Sequence, residues 1–228
     1  MRGHNKTERL DICNKCQTSL VKALRAGVDH YLSLYKKSVS QIKLVMLVRD
    51  PRGTMASRYD PNLVWCTAKH CKNITTLCRL MRLNINQLLD LKQNSRIAKD
   101  IVLVRYEELS TDVQIKSKQL FNFLNIKHNF KVKTWIKNHT TRDKNRDNPH
   151  SGIRDSYKAA FQWTKRLNKT MIIKIQNECS DVMKNLGYKL IDFSIDKKYD
   201  QKKYHLNQLL TNHYPLDYLS NRVFKQIL

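Results

Sequence analysis

A stretch rich in Val, Leu and Ile, residues 42–48, ends abruptly in the segment RDPRGTMASR, which is dense in cations and hydroxyls. Such a stretch is typical of a buried strand in a parallel sheet, and ligands of these sheets bind just beyond the carboxyl ends of the strands. Arg49 occupies that position. Asp50 is suited to cap a helix over residues 51–58, because Pro51 needs no hydrogen-bond donor in the first helical turn. The pattern therefore predicts a strand, a tight turn and a helix.

Arg49 and Ser57 flank this predicted strand-to-helix turn. The guanidinium fork of an arginine and the hydroxyl of a serine can both donate hydrogen bonds to one phosphate. The pair therefore indicates an anion site. A surface arginine at an ordinary strand–helix turn is the alternative that the local chemistry leaves open, because basic strand ends are common in α/β folds.

Patterns in the rest of the sequence predict further helices and a second strand. A helical pattern covers residues 7–36, within which the segment LVKAL can instead form a short strand. Apolar periodicity predicts the elements that follow, and a polar stretch with Pro149 and Gly152 predicts a loop between them. These elements are a helix over 77–91, a strand over 101–105 and helices over 110–124, 154–166 and 169–185, the last closed by Gly187.

The composition predicts one packed α/β domain. A chain of 228 residues is long enough to bury a core, and its apolar share of 41% argues against a disordered chain. The net charge of +24 suits a polyanionic ligand such as a nucleic acid, a sulfated glycan or a nucleotide. The alternative is that a lysine-rich composition merely spreads charge over solvated faces. No apolar run approaches the about 20 residues that a membrane-spanning helix needs.

The VRDPR segment followed by ASR resembles the 3′-phosphate-binding motif of the sulfotransferases, which use 3′-phosphoadenosine-5′-phosphosulfate (PAPS) as sulfuryl donor. Within that superfamily the chain resembles the carbohydrate 6-O-sulfotransferases of the galactose, N-acetylgalactosamine and N-acetylglucosamine group. The resemblance implies that Arg49 and Ser57 bind the 3′-phosphate. It covers roughly residues 21–188, and further segments match in the family's order: IVLVRYEEL, FNFLNI, TWIKNHT, GIRDSYKAAFQW and IQNECSDVMKNLGY.

The same resemblance implies roles for four more residues. Tyr106, at the end of the second strand, matches a tyrosine expected near the adenine, and Thr140 matches a threonine expected to touch the nucleotide. Arg154 and Ser156 fall where the superfamily returns a basic loop to the 3′-phosphate. From the residues alone, Tyr106 equally suits packing at a strand end, and Arg154 and Ser156 equally suit the first turn of a helix.

The fold implied by the resemblance is a P-loop-like α/β sulfotransferase fold with a central parallel sheet flanked by helices, over residues 1–193, followed by a basic tail over residues 194–228. The implied reaction transfers a sulfuryl group from PAPS to a hydroxyl of a carbohydrate, either a glycan or a glycosaminoglycan. We expect no metal, and no nucleic-acid partner beyond the nucleotide donor. Family members are type II Golgi membrane proteins, so the chain as given is expected to be soluble and to contact a membrane only through an anchor that it lacks.

One part of the family pattern is missing from this sequence. Sulfotransferases of this type open with a strand and a loop such as Arg-Ser-Gly-Ser-Ser, whose backbone amides hold the 5′-phosphosulfate. None of the five glycines follows an apolar strand in such a cluster. We therefore expect an incomplete amino terminus, no assignable catalytic base and no useful sulfate transfer by this chain. A catalytically dead relative that binds nucleotide or glycan is the second hypothesis, and a basic nucleic-acid-binding domain, whose signatures are absent, is the third.

Cysteines and glycosylation sequons point to an oxidising, lumenal compartment. An even number of cysteines permits disulfides, and six cysteines allow 15 pairings, which the sequence leaves open. Cys13 and Cys16 have the spacing of zinc ligands but lack a matching second pair. The cysteines are Cys13, Cys16, Cys66, Cys71, Cys78 and Cys179, and the four Asn-X-Ser/Thr sequons begin at Asn5, Asn73, Asn138 and Asn168.

Overall fold

The structure is a computed structural model that describes residues 18–24, 26–37, 41–62, 66–93, 95–141 and 152–194. The predicted tail after Ser194, most of the predicted loop before Gly152, and the residues Asn5, Cys13 and Cys16 lie outside these ranges. The predictions made for them stay predictions.

The described residues are mostly helical and include a small parallel sheet of two strands. The strands are β1 (Leu44–Val48) and β2 (Ile101–Arg105). The helices are α1 (Val28–Lys37), α2 (Pro51–Arg58), α3 (Ile74–Gln93), α4 (Ser95–Ala98), α5 (Tyr106–Thr111), α6 (Val113–Phe123), α7 (Phe130–Thr140), α8 (Ser156–Phe161), α9 (Trp163–Arg166) and α10 (Lys169–Asn185), with a 3-10 turn at Lys69–Lys72.

In the described part of the helical pattern predicted over residues 7–36, a helix forms from Val28 onward, as α1. Residues 18–24 form no regular helix or strand, so the alternative short strand at LVKAL is absent as well. Leu20, Val21 and Leu24 are 89%, 85% and 82% exposed. Since helices and strands of a globular domain form largely by burying an apolar face, these residues have no packing to order them within the described part of the chain.

Two predicted helices are each divided in the structure. The helix predicted over residues 110–124 is instead α5 and α6, because the backbone of Asp112 leaves the helical region with φ −121° and ψ 50°. The helix predicted over residues 154–166 is α8 followed by α9, with a turn at Gln162. By contrast, α2, β2 and α10 have the predicted bounds.

The two strands pair in parallel, in a register that runs from Leu44 opposite Ile101 to Val48 opposite Arg105. β2 is buried along its whole length. The helices between the strands form the crossover that a parallel pair requires. Carried one residue further, the register places Arg49 beside Tyr106, so the carboxyl ends of both strands meet where the sequence predicts a binding site.

The main core lies between α3 and α10 and beneath the sheet. A disulfide joins the fully buried Cys78 of α3 to Cys179 of α10. Met55 from α2 and Trp163 from α9 extend this core toward the strand ends. The buried apolar residues that α3 and α10 contribute to the same core include Leu77, Ile85, Leu88, Ile172, Ile175, Val182 and Met183.

A buried carboxyl group holds the carboxyl end of β1. Glu107 is 1% exposed, and its Oε1 accepts a hydrogen bond from the backbone N–H of Asp50 at 3.0 Å. The Tyr188 hydroxyl donates to Oε2 at 2.8 Å. Burial, and secondarily the charge of Asp50, raise the pKa of Glu107 to about 7. The group is therefore partly protonated at neutral pH.

This raised pKa makes stability depend on pH. A carboxyl group whose pKa is raised in the folded state stabilises the fold in its protonated form. This stabilisation is complete when the pH is below the unfolded-state pKa of 4.5, and it is lost as the pH rises through about 7. Glu107→Gln keeps the shape and stays neutral. We expect the free energy of unfolding to fall between pH 5 and pH 8 by up to about 3 kcal/mol more in the wild type than in the variant. Denaturant unfolding at both pH values measures this difference.

Glu178→Gln is the matched control, because Glu178 is exposed on α10. The control should keep the wild-type dependence on pH. If Glu107→Gln keeps it too, the assignment of this dependence to the buried carboxyl is wrong.

Candidate functional site

Arg49 lies at the carboxyl end of β1, where its guanidinium stacks on the ring of Tyr106. The guanidinium carbon is 4.7 Å from the ring centroid, a distance typical of a cation–π contact. The Arg49 Nη2 donates to the backbone oxygen of Ala159 in α8 at 3.2 Å. The buried Nε has no hydrogen-bond partner among the described residues. The structure therefore brings Arg49 and Tyr106 together and leaves part of the guanidinium without a partner in the described chain.

Gly53 makes room for this arrangement. A Cβ added at Gly53 would lie 3.1 Å from the Arg49 Nε and 3.3 Å from the Trp163 Cδ1, closer than side chains ordinarily pack. Ser57 is four residues after Gly53 in α2 and so lies on the same helix face as the glycine. Its side chain is half-buried, and its hydroxyl has no hydrogen-bond partner within the described ranges. Ser57 thus follows, by one helical turn, the glycine against which the Arg49 Nε lies.

Arg52, the second arginine of the segment, has a structural role that the sequence did not reveal. Its guanidinium is fully buried and donates to both carboxylate oxygens of Asp50, with Nη2 to Oδ2 at 2.7 Å. Its Nη1 donates to the Gln176 side chain in α10 at 3.0 Å, and its guanidinium carbon lies 4.3 Å from the ring centroid of Trp163. A buried charge in a paired, hydrogen-bonded setting is already compensated. Arg52 therefore stabilises the turn and is no ligand candidate.

Thr140 and Arg154 come together through the backbone. The backbone N–H of Arg154 donates to the carbonyl oxygen of His139 at 3.0 Å, one residue before Thr140. The Thr140 hydroxyl donates to the Ile136 carbonyl oxygen in its own helix at 2.8 Å. The end of α7 and the segment before α8 are thus joined, although the Thr140 proton is already engaged inside α7.

Ser156 connects α8 to α5. Its hydroxyl donates to the Ser110 carbonyl oxygen at 2.9 Å, and Asp155 caps the same helix by accepting from the Lys158 backbone N–H at 3.0 Å. Three residues later in α8, Ala159 offers its carbonyl oxygen to Arg49. In this arrangement Ser156 positions the helix that orients Arg49.

A short disulfide-closed loop lies against the end of α2. Cys66 is bonded to Cys71, and the Arg58 Nη1 donates to the Cys71 carbonyl oxygen at 2.9 Å. The Tyr59 hydroxyl donates to the Lys72 carbonyl oxygen at 2.9 Å. The structure therefore fixes a basic loop next to Ser57, a feature that the sequence alone did not predict because it depends on the disulfide pairing.

Over the described ranges, no group of three or more His, Cys, Asp or Glu side chains is placed to hold a metal ion. Over the same ranges, no helix combines the length and the apolar character needed to cross a bilayer.

Comparison with known proteins places the chain in a family. A family model described as Sulfotransferase domain matches residues 28–187. Carbohydrate sulfotransferase 1 of Mus musculus and of Homo sapiens are each 28% identical over 201 residues, which cover 82% of this chain and 48% of each relative. Carbohydrate sulfotransferase 3 of Mus musculus is 23% identical over 201 residues, covering 82% of this chain and 42% of the relative.

The chain spans about half the length of the curated relatives that it matches. No solved structure matches it. The matched residues 28–187 contain both strands, the whole crossover between them and all six residues that the sequence predicts for the site. The chain therefore belongs to the sulfotransferase domain family and has its fold.

Proposed function

We propose that this protein is a sulfotransferase of the type that uses PAPS and a carbohydrate hydroxyl, and that Arg49 and Ser57 hold the 3′-phosphate of the donor. The chain as given shows no loop for the 5′-phosphosulfate, and we therefore propose that it transfers no sulfate at a useful rate by itself. The observation that supports the proposal best is the partly unpaired guanidinium of Arg49 at the carboxyl end of β1. Ligands of parallel α/β sheets bind at that edge. Family membership supports the donor, and the printed names of the relatives support a carbohydrate acceptor.

The residues at this edge fit a phosphate. A buried donor without a partner is costly, so an anionic oxygen that accepts from the guanidinium would offset that cost. Stacking on Tyr106 and the bond to the Ala159 carbonyl hold the guanidinium in one orientation before any ligand arrives. Because Gly53 has no side chain, the Arg49 Nε can lie directly against the backbone of α2, which further fixes the guanidinium.

PAPS supplies the sulfuryl group when it is bound, and the chain's residues bind and orient it. Arg49 and Ser57 would fix one end of the donor, and Tyr106 would lie beside the bound nucleoside. Thr140 and Arg154 extend the proposed site toward α7, and Ser156 orients α8 within it. Holding a donor in register in this way lowers the entropic part of the barrier.

A relative that binds nucleotide without transferring sulfate is the second candidate. Glu107, the carboxyl group nearest to Tyr106 in sequence, accepts hydrogen bonds from the Asp50 backbone and the Tyr188 hydroxyl. It is buried and turned toward the core, and is therefore a poor general base for an acceptor hydroxyl. Since the carboxyl group next to Tyr106 in the described chain is a poor base, nucleotide binding and sulfate transfer have to be tested separately.

We propose residues 1–193 as the sulfotransferase domain and residues 194–228 as a basic tail. The disulfides Cys66–Cys71 and Cys78–Cys179 support a lumenal location of the Golgi type, because disulfides persist in oxidising compartments.

The phosphate assignment predicts that the wild type is selective for nucleotides with a 3′-phosphate and that an Arg49 variant loses this selectivity. Calorimetry should show that the chain binds adenosine 3′,5′-bisphosphate more tightly than adenosine 5′-phosphate. Arg49→Ala should weaken bisphosphate binding by about 2 to 4 kcal/mol, because a desolvated charge-assisted pair is lost, and should leave the monophosphate affinity nearly unchanged. Ser57→Ala should act in the same direction with a smaller effect.

Arg79→Ala serves as the control, since Arg79 is an exposed arginine of α3. It should bind both nucleotides as the wild type does. An Arg49→Ala variant that retains the full preference for the bisphosphate would overturn the assignment.

A radiolabelled-sulfate assay separates the two candidate functions. The donor is PAPS, and the acceptors are desulfated chondroitin, desulfated keratan and glycans that end in N-acetylglucosamine. The assay is run on this chain and on a version extended at its amino terminus with the strand and the 5′-phosphosulfate loop of a carbohydrate sulfotransferase. Transfer by the extended version that is lost in Arg49→Ala supports the enzyme. Selective bisphosphate binding without transfer by either version supports the binding relative.

The proposed lumenal location predicts that the protein carries N-linked glycans and disulfide bonds. Expressed behind a secretory signal, the chain should lose mass when treated with an N-glycosidase, because it carries four sequons. Thiol titration under denaturing conditions should find few free cysteines. An unchanged mass together with six free thiols would place the protein in the cytosol instead.

A further inference from the structure

The outer side of α7 exposes two large aromatic side chains. Phe130 is 80% exposed and Trp135 is 60% exposed. The Trp135 ring stacks on His139 with centroids 4.0 Å apart and an interplanar angle of 17°, and the two residues are also joined through the His139 Nδ1 and the Trp135 carbonyl oxygen at 2.7 Å. Aromatic side chains that are exposed close together on one surface are typical of interaction sites. The stacked pair presents a flat ring whose orientation is already fixed.

Lysines lie among these aromatic residues. Lys131 precedes Trp135 by one helical turn, and Lys137 follows Phe130 by two turns, so cations and rings alternate on the exposed face. Both lysines are exposed, and neither forms an ion pair with a described residue. α7 contains no Asp or Glu. We call Phe130, Lys131, Trp135 and Lys137 the α7 surface.

Positive charge also accumulates on the neighbouring side of α7. His128 lies two residues before α7, near Lys133 and Lys118. Burial lowers the pKa of His128, and the positive charges of these two lysines lower it further. The Lys133 carbonyl oxygen accepts a hydrogen bond from the Gln114 side chain at 3.3 Å, which holds α7 against α6. The surroundings of the α7 surface thus favour an anionic ligand over a neutral one.

The α7 surface leads to the candidate site. Thr140 is the last residue of α7, about 7 Å along the helix axis from Trp135. The carbonyl oxygen of His139, the stacking partner of Trp135, accepts the backbone N–H of Arg154 at 3.0 Å. A ligand lying on the surface would therefore approach the segment that carries Thr140 and Arg154.

We propose that the α7 surface binds an anionic glycan chain and guides it to the site. This inference rests on the proposed function, which supplies the reason for a glycan to reach Thr140. Pyranose rings present flat C–H faces that pack on aromatic rings, and their sulfate or carboxylate groups pair with lysines. A sugar chain that carries such groups can bind both the aromatic rings and the lysines of the α7 surface, whereas a neutral glycan can bind only the rings.

The test measures binding of a fluorescent chondroitin sulfate oligosaccharide, its desulfated counterpart and a single-stranded oligonucleotide to the full chain. All proteins carry Asn138→Gln, because Asn138 is an exposed sequon residue of the same helix and an attached glycan would cover the surface. If mass spectrometry finds a glycan on Asn138 in the wild type expressed behind a secretory signal, the proposal is wrong. In that background, Trp135→Ala and the double variant Lys131→Gln/Lys137→Gln should each weaken binding of the sulfated oligosaccharide about tenfold.

Lys174→Gln/Lys184→Gln is the matched control, since it removes two charges from exposed positions of α10. It should change the affinity less than about twofold at the same salt concentration. If the control weakens binding as much as the α7 double variant, binding reflects the overall charge and the proposal is wrong. It is also wrong if the oligonucleotide binds more tightly and shows the same dependence on α7.

Thermal unfolding of each variant provides the structural readout. A large fall in Tm for Trp135→Ala, with unchanged glycan affinity in the lysine variant, would mean that another part of the protein covers the ring and would overturn the proposal. The bisphosphate titration is repeated on the α7 variants, which should behave as wild type. Failure of 3′-phosphate selectivity alone counts against the proposed function, and failure of the α7 variants to affect glycan binding counts against the surface.

Discussion

The arrangement of the strand ends depends on how Asp50 is bound. Its carboxylate caps α2 by accepting the Arg52 backbone N–H at 2.8 Å and also pairs with the Arg52 guanidinium, while its own backbone N–H is held by Glu107. These bonds are buried, where an unsatisfied polar group would cost several times what an exposed one does. The turn between β1 and α2 is therefore defined by side chains from both strands' ends rather than by the turn residues alone.

Two arginines three residues apart therefore have different environments. Arg52 is buried in the core, where Asp50 and Gln176 accept hydrogen bonds from its guanidinium and Trp163 stacks against it. Arg49 remains at the sheet edge with one hydrogen bond and one ring contact. Because Arg52 compensates the Asp50 carboxylate, Arg49 forms no ion pair with any of the described residues. Its charge therefore stays available for the phosphate that we propose.

The sequence predicted features that depend on local patterns. The strand after Asp100 and the helices α2 and α10 follow from apolar periodicity, Pro51 and Gly187, and Gly187 indeed has a positive φ of 69°. Arg49 and Tyr106 were each predicted at the end of a strand, and the parallel pairing of these strands brings them together. Local patterns carry no information on partners that are distant in the chain.

The features that the sequence did not predict depend on such distant partners. The fate of Arg52 depends on Gln176, which lies 124 residues away. The disulfide pairing had many alternatives, and the exposure of Trp135 depends on what α7 packs against. The breaks at Asp112 and Gln162 likewise occur at positions that are neither glycine nor proline, so the sequence gives no strong signal for them.

The disulfide between Cys78 and Cys179 closes a loop with a sequence separation of 101 residues. That loop contains β2 and every helix from α4 to α9, and therefore Tyr106, Thr140 and Arg154, whereas Arg49 and Ser57 precede it. A protease that cuts the chain once anywhere inside the loop yields two fragments that stay covalently joined. Nicked protein would migrate as an intact chain on a non-reducing gel, and both halves of the site would remain tethered to each other until the disulfide is reduced.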